Sequence, residues 1–357
     1  MTEAVLPADP RLRSWPPEGL EGLGACPVCG CAERTLLHHG LWDYVFFVAP
    51  GEWTMWRCGG CRSGYLDPRP DEATIGLAYE RYYTHSAYAP PPLPERLSKL
   101  QRARAALGNG YRNGRFGSAM EPAWPVGRLA ALMLPRLRGQ IDLSLRFLPR
   151  RDPAREARVL DIGCGAGEWL TAAAAAGWTA CGAEPDPAAC AVGLGKGFEV
   201  RQGSAEAWAD AAGTFDAVTM NHVIEHVHHP VRTLEVVFSL LRPGGQLFIE
   251  TPNVDSTSHD RYGANWRGLE PPRHLALFNP ASMEAALREA GFAGIRHRRR
   301  PSPLDWMNEA SARIAAGRDP YDEAAAVQPP AITAAERRRS RELPSREFIT
   351  LTCIRPA

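Results

Sequence analysis

Neither sign of charge is in excess: 41 Lys and Arg stand against 40 Asp and Glu, a formal net charge of +1 over 357 residues. Such a balance supplies no global basic field and disfavours generic nucleic-acid binding. No apolar run approaches the roughly 18–20 residues that span a bilayer. The opening "MTEAVLPADPRLRSWPPEG" lacks the basic, apolar and cleavage regions of a signal peptide, so a cytoplasmic location is expected. No internal repeat is found. What remains is an ordinary globular composition, 45% hydrophobic and 23% charged, in a chain long enough for two or three domains.

Nine cysteines in a cytosolic chain do not make a disulfide framework, because that compartment keeps thiols reduced. Their spacing says more. Cys26/Cys29 and Cys58/Cys61 form C-x2-C-x28-C-x2-C, and each pair can turn two thiolates onto one ion. Four thiolates suit a closed tetrahedral structural zinc site, with no open position for catalysis. Cys31 is close enough in sequence to compete with Cys29 and is left out of the set. The plain alternative is a group of free buried cysteines.

Around these pairs the chain divides into four parts. Residues 1–24, rich in Pro and charge, read as a flexible arm. Residues 25–70 form a small zinc-ribbon-like domain, with "LWDYVFFV" and "EWTMWRC" as short strands. Residues 71–150 form a helical connector or cap. It opens with an amphipathic helix in "DEATIGLAYERYYTHSAY", is broken by "APPPLPE", and ends in the Arg-spaced apolar "VGRLAALMLPRLRGQIDLSLRFLPR". From 151 to 357 strands alternate with helices, which predicts an α/β fold with a mainly parallel, doubly wound sheet. Two closing strands, "FAGIRHRRR" and "REFITLTCIRP", have no evident crossover and predict an antiparallel edge.

The sharpest motif is "VLDIGCGAGEWL" at 159–170. A strand delivers Asp161, and Gly163, Gly165 and Gly167 let the backbone turn tightly and approach a ligand before the helix. Glu184 closes the next strand, where a carboxylate can accept from ribose hydroxyls. The same features would serve a nicotinamide dehydrogenase, but its usual G-x-G-x-x-G spacing differs from the G-x-G-x-G here.

"VLDIGCGAG", "GAEPD", "FDAVTMNHVIEHV" and "LLRPGGQLFIETPN" together closely resemble the successive motifs of class I S-adenosylmethionine (SAM) methyltransferases, over about 155–298. The resemblance implies a Rossmann-like seven-stranded sheet, mainly parallel, whose last strand inserts antiparallel beside the fifth. It implies that Asp161, Gly163, Gly165 and Gly167 embrace the methionine part of SAM and that Glu184 holds the ribose. Ser204 and Ala205 stand where the family usually places an acid near the adenine, and Asn221 and His222 fall beside the cofactor. The segment "CPVCGC…WRCGGCRSGYLDPRPDEATIGLAYERYY" resembles the zinc-ribbon leader of some bacterial sugar, glycan and natural-product methyltransferases.

The expected function is therefore SAM-dependent methyl transfer to a small hydroxylated acceptor (a sugar, glycan or natural product), with O-methylation favoured. The alternatives are C-methylation of a deoxysugar nucleotide and methylation of RNA read by the ribbon; the near-neutral charge weighs against RNA. The segment 258–280 offers Trp266, Arg267, Glu270, Arg273 and His274 in a Gly/Pro-rich loop at the strand ends. His274 is the candidate base, its alternative being a packed, capping histidine. The helix at 126–150 either rests on a membrane surface, meets a lipid-linked acceptor, or packs on its own catalytic domain.

One motif points elsewhere. His222-Val-Ile-Glu225-His226 fits the H-x-x-E-H pattern of inverted zinc proteases. That ligand set requires a helix, and "FDAVTM" just before it reads as a strand. His222 is thus expected at a strand end over the cofactor, with His228 and His229 exposed before Pro230.

Overall fold

The computed structural model describes residues 12–80, 98–322 and 327–357. The first eleven positions of the expected arm, and 81–97 of the connector, lie outside the described residues. The rest of the arm, 12–24, is not loose. Trp15 is buried edge-on against Trp53, and its Nε1 donates to Gly19 O at 3.2 Å. Strand β1 (Leu20–Glu21) pairs with a later strand, Arg69–Pro70.

The cysteine-bearing segment is a meander of β2 (Arg34–Leu41), β3 (Trp53–Cys58) and β4 (Gly64–Leu66), followed by β5 (Arg69–Pro70). The expected strand "LWDYVFFV" does not form beyond Leu41. The reason is Asp43, whose carboxylate accepts from the backbone N–H groups of Val45, Phe46, Val48 and Ala49 at 2.9–3.3 Å. Those four bonds hold the chain in a turn against the β propensity of its aromatic residues. The strand lies one step earlier, in "RTLLHHGL".

In the connector, α1 (Lys99–Phe116) is capped by a Ser98/Gln101 box, and α2 (Gly127–Met133) and α3 (Pro135–Ser144) follow. Helices α1 and α2 meet at glycines: a Cβ on Gly110 would lie 1.8 Å from Trp124 O, and one on Gly127 1.9 Å from Leu107 O. Tyr111, Phe116, Ile141, Leu145 and Leu148 carry the connector onto the catalytic core, beside Val159 and Leu170. The helix expected at the connector's start is a single 3-10 turn, Ile75–Tyr79, within the described residues.

The catalytic part holds β6 (Arg158–Ile162), α4 (Glu168–Ala175), β7 (Thr179–Glu184), α5 (Pro187–Gly195), β8 (Glu199–Gln202), β9 (Phe215–Asn221), α6 (Pro230–Leu240) and β10 (Leu241–Pro252). After them come α7 (Thr257–Tyr262), β11 (Ala276–Leu277), α8 (Pro280–Glu289), β12 (Ala293–His297), α9 (Leu304–Ala315), α10 (Ala334–Arg339) and β13 (Phe348–Ile354). Seven strands run β12-β13-β10-β9-β6-β7-β8. β13 is antiparallel to both neighbours and the remaining pairs are parallel. The antiparallel strand therefore sits inside the sheet, and β12 is the edge. Helix α9, between β12 and β13, buries Leu304, Met307, Ala310 and Ile314.

The expected boundary between ribbon and catalytic domain is crossed by hydrogen bonds and by the core. β11 pairs with β4, Ala276 opposite Tyr65 and Leu277 opposite Gly64, so the small sheet takes its fourth strand from the catalytic part. Cys26, Val28, Cys58 and Tyr65 share one apolar cluster with Leu160, Val218, Ile249 and Phe278.

Candidate active site and cysteine centre

The loop after β6 is pinned to β7, with Gly163 N and Cys164 N both donating to Ala183 O at 2.8 and 3.1 Å. Gly163 has φ +70°, and a Cβ there would come within 2.6 Å of Val223 Cγ2. Both the conformation and the space demand glycine. Gly167, at φ +81°, begins α4. Glu184 Oε2 accepts from Gly165 N at 2.8 Å and Oε1 from Asp186 N at 3.0 Å. Each oxygen keeps a second acceptor site for a hydroxyl, and burial pushes this carboxyl above its ordinary value. The cradle thus fits the ribose and methionine parts of SAM.

Asp161 is wholly buried and takes Thr219 Oγ1 at 2.8 Å together with the Arg146 guanidinium. Arg146 also donates to Thr219 and lies 4.2 Å over the Trp169 ring. Nothing in the spacing of the sequence pointed to Arg146. Ser204 is exposed and donates to Glu206, while Ala205 is buried. Glu206, two residues on, is the acid in this stretch, and the Ser204 hydroxyl holds its carboxylate.

Beyond Asn221, His222 has φ +55°, which turns the chain out of β9 into the short turn Ile224–His226. His222 Nδ1 lies 3.2 Å from Glu225 Oε1, and its ring meets Phe348 edge-on. Burial pulls the His222 pKa down, but its hydrogen bond and charge contact with Glu225 outweigh this and raise it. Glu225 is fully buried and accepts from Thr251 at 2.9 Å. Although burial opposes ionisation, the histidines around it hold it down to about 2.

His226 is half-buried. Its Nδ1 faces Arg273 O at 3.1 Å and Tyr79 Oη at 3.0 Å. His274 lies edge-on to it, ring centroids 4.7 Å apart, with Nδ1 donating to Gly268 O at 2.8 Å. Burial keeps both imidazoles neutral, His274 down to about 4. Glu225, His226 and His274 bring one ligand atom each within 4.8 Å of one another, a spacing one cation could share. His222 stands with Glu225 and leaves this trio, so the H-x-x-E-H pattern does not converge on one ion. Nor are the next two histidines both exposed: His228 is buried, its Nε2 donating to Pro70 O at 3.0 Å, and only His229 is at the surface.

The loop expected to present polar groups to an acceptor is instead largely interior. Trp266, Arg267, Glu270, Arg273 and His274 are all buried. Arg273 donates to Asp43 Oδ2 at 3.2 Å, to Ala78 O at 2.7 Å and to Glu270 Oε1 at 3.2 Å, and it lies over Phe46. Arg267 donates to Glu270 Oε2 at 2.6 Å. The segment ties the ribbon to the site through Arg273, which reaches Asp43, while Arg267 and Glu270 satisfy each other.

The four sulfurs of Cys26, Cys29, Cys58 and Cys61 lie within 4.8 Å of one another. Cys26–Cys61 and Cys29–Cys58 are 3.7 and 3.5 Å apart, and all nine cysteines are free thiols. Ligands at 2.3 Å in a tetrahedron stand about 3.8 Å apart, so the donor set fits zinc. Val28 N donates to Cys26 Sγ at 3.4 Å. Cys31 turns away toward Glu33 O.

A family model described as a methyltransferase domain matches residues 134–297. The ubiquinone biosynthesis O-methyltransferase of Thiobacillus denitrificans is 33% identical over 162 residues, 42% of this chain and 70% of that protein. The chain belongs to the class I SAM-dependent methyltransferases. The enzyme of the same name from Aromatoleum aromaticum is 37% identical to this methyltransferase, over 42% of the chain and 69% of the relative. Among solved structures, a SAM-dependent methyltransferase from Archaeoglobus fulgidus aligns at a TM-score of 0.41 and 19% identity, over 62% of this methyltransferase and 93% of that chain. The family model begins after the cysteine centre, at residue 134.

Proposed function

We propose that this methyltransferase O-methylates a small hydroxylated acceptor and holds a structural zinc in its four cysteines. A phenolic acceptor is favoured over the sugar, glycan or natural product expected from the ribbon, because the relatives named above are ubiquinone biosynthesis O-methyltransferases. In this reading SAM supplies an electrophilic methyl whose bond to sulfur breaks as the acceptor oxygen attacks. The protein's own residues align the acceptor and remove its proton.

The observation that carries the reading is the imidazole pair of His226 and His274, the first three residues on from Val223, which lies against Gly163 of the glycine loop. Backbone carbonyls hold the Nδ1–H of His226 and His274, which places the basic lone pair on Nε2 of each ring. His226 is the better exposed of the two, so it takes the acceptor proton. His274, the residue first expected in that role, stands behind it and fixes its ring. Glu225 stays ionised and offsets the positive charge that develops on His226. Asp161, Gly163, Gly165, Gly167 and Glu184 hold SAM, with Ser204, Ala205 and Glu206 toward the adenine and Asn221 and His222 beneath it.

The ribbon is not read here as an RNA reader, because its segment 41–66 is packed onto the catalytic part through Asp43, Tyr65 and Leu66. A reducing cytoplasm suits free thiolate ligands. Radiolabelled methyl transfer from SAM to catechols, sugar nucleotides and RNA tests the proposal. Label in a phenolic ether is expected, falling about 100-fold or more in His226→Ala; label in RNA or in a sugar carbon contradicts it.

A further inference from the structure

The chain as a whole is almost neutral, but its connector is not. Between Ser98 and Ile141 stand Lys99, Arg102, Arg104, Arg112, Arg115, Arg128, Arg136 and Arg138 against a single acid, Glu121. The net +7 there leaves the rest of the chain acidic on balance. Arg128, Arg136 and Arg138 are exposed, and among the described residues no carboxylate pairs with any of them within 4.0 Å. Arg115, Arg128 and Arg138 converge with Tyr111 and Gly114 on a half-open cleft of about 240 Å³ between the three helices. One carboxylate reaches its margin: Asp142 accepts from Tyr111 at 2.9 Å and stands 4.0 Å from Arg115. The cleft remains cationic.

Beside it the same helices expose apolar side chains. Leu129 is 62% exposed, Met133 75%, Leu134 54% and Leu137 38%, with Trp124 and Val126 at the near end of α2 also exposed. Large exposed apolar patches on soluble proteins mark interaction surfaces. Arginines with leucine, methionine and tryptophan on short surface helices form the pattern that lies in a bilayer interface. The three helices meet the catalytic core through other residues, Tyr111, Phe116 and Ile141 among them, so among the described residues nothing packs over this face.

We propose that the connector docks on an anionic lipid bilayer, with a headgroup phosphodiester in the arginine cleft and Leu129, Met133, Leu134 and Leu137 in the acyl boundary. Charge complementarity selects the occupant. A second copy would bring +7 against +7. A nucleic acid would match the charge but leave the aliphatic side chains in water, with Trp124 alone offering a stacking surface. The bilayer satisfies both halves of the patch. It is also well placed for catalysis: α3 ends at Ser144, whose carbonyl accepts from Trp169, and Arg146 follows at Asp161. Docking therefore holds the cofactor cradle close to the membrane surface. The inference does not depend on the acceptor proposed above.

Flotation of the full chain with vesicles tests it, using phosphatidylglycerol and phosphatidylcholine in equal parts against phosphatidylcholine alone. Binding is expected to the first and not to the second. Arg128→Gln/Arg138→Gln should weaken it about 30-fold, at about 1 kcal/mol per basic residue near the surface. Leu129→Ser/Met133→Ser should weaken it at least tenfold. SAM titration of each variant, expected unchanged, certifies the fold. The proposal is overturned if the wild-type chain does not float with anionic vesicles, or if both variants float as well as it does. It is equally overturned if single-stranded RNA binds the patch in preference to vesicles, or if the patch is covered in a dimer that the leucine variant dissociates.

Discussion

Replacing Asp43 by Asn removes one charge from a pair that is closed to water on both sides. Asp43 and Arg273 are each 0% exposed. The carboxylate receives both terminal nitrogens of Arg273 and four backbone N–H groups. Asparagine keeps one oxygen and turns an NH2 group toward donors, stranding the Val48 and Ala49 amides and one arm of the guanidinium. Breaking a buried pair from one side costs about 3–5 kcal/mol, and about 4 kcal/mol is expected here. Arg273→Met should cost a similar amount, because it strands Asp43, but the double variant should cost less than the sum by at least about 2 kcal/mol. Urea unfolding of the metal-loaded chain, followed by tryptophan fluorescence, measures all three. The ribbon and the catalytic part should unfold in one transition, since this pair joins them. Single-variant losses below about 1 kcal/mol, with no coupling, would refute the claim that the segment 266–274 is a structural tie.

Chelation should unfold more than the ribbon, because Cys26 and Cys58 share a core with Leu160 and Phe278; near-ultraviolet circular dichroism should collapse together with SAM binding. A native spectrum with activity alone lost would instead mark the metal as catalytic. Burial pushes Glu347 up to about 7, and its Oε2 has no partner among the described residues. An acid raised in the fold stabilises it below its ordinary value near 4.5 and loses that contribution as pH rises through about 7. Glu347→Gln should therefore raise stability by up to about 3 kcal/mol at about pH 8 and leave it unchanged below about pH 4. His38 and His274 are pushed the other way, both down to about 4 by burial. Their contribution is full above about 6.5 and falls as pH drops toward 4, so the melting temperature should decline over that window.

What could be read from the chain alone was local. The glycine loop and Glu184 are recognisable because a tight turn and a strand-end acid need particular residues at fixed spacing, and the paired cysteines because a metal needs four donors. The alternation after residue 157 gave the sheet for the same reason. The features that escaped are those whose partners are distant in sequence. Asp43 reads as part of a strand until Arg273, 230 residues on, is seen against it. Arg146 carries no motif and matters only because it reaches Asp161. The acceptor loop looked like a surface segment from its Gly, Pro and charge, yet its charges are buried, Arg273 against Asp43 of the ribbon and Arg267 against Glu270. His226 was visible in the histidine cluster, but only the approach of His274 and Tyr79 separates it from its neighbours. The exposed face of α2 and α3 has the same composition as a helix that packs inward, and composition cannot tell which way it faces.

Calorimetric titration with SAM, on the wild-type chain and on Glu184→Ala, tests the central claim most directly. The account predicts one site on the wild-type chain and binding weakened tenfold or more in the variant, because the variant loses both the ribose acceptor and the Gly165 anchor. A wild-type chain that takes up no SAM, or a variant that binds as tightly as the wild type, would contradict it.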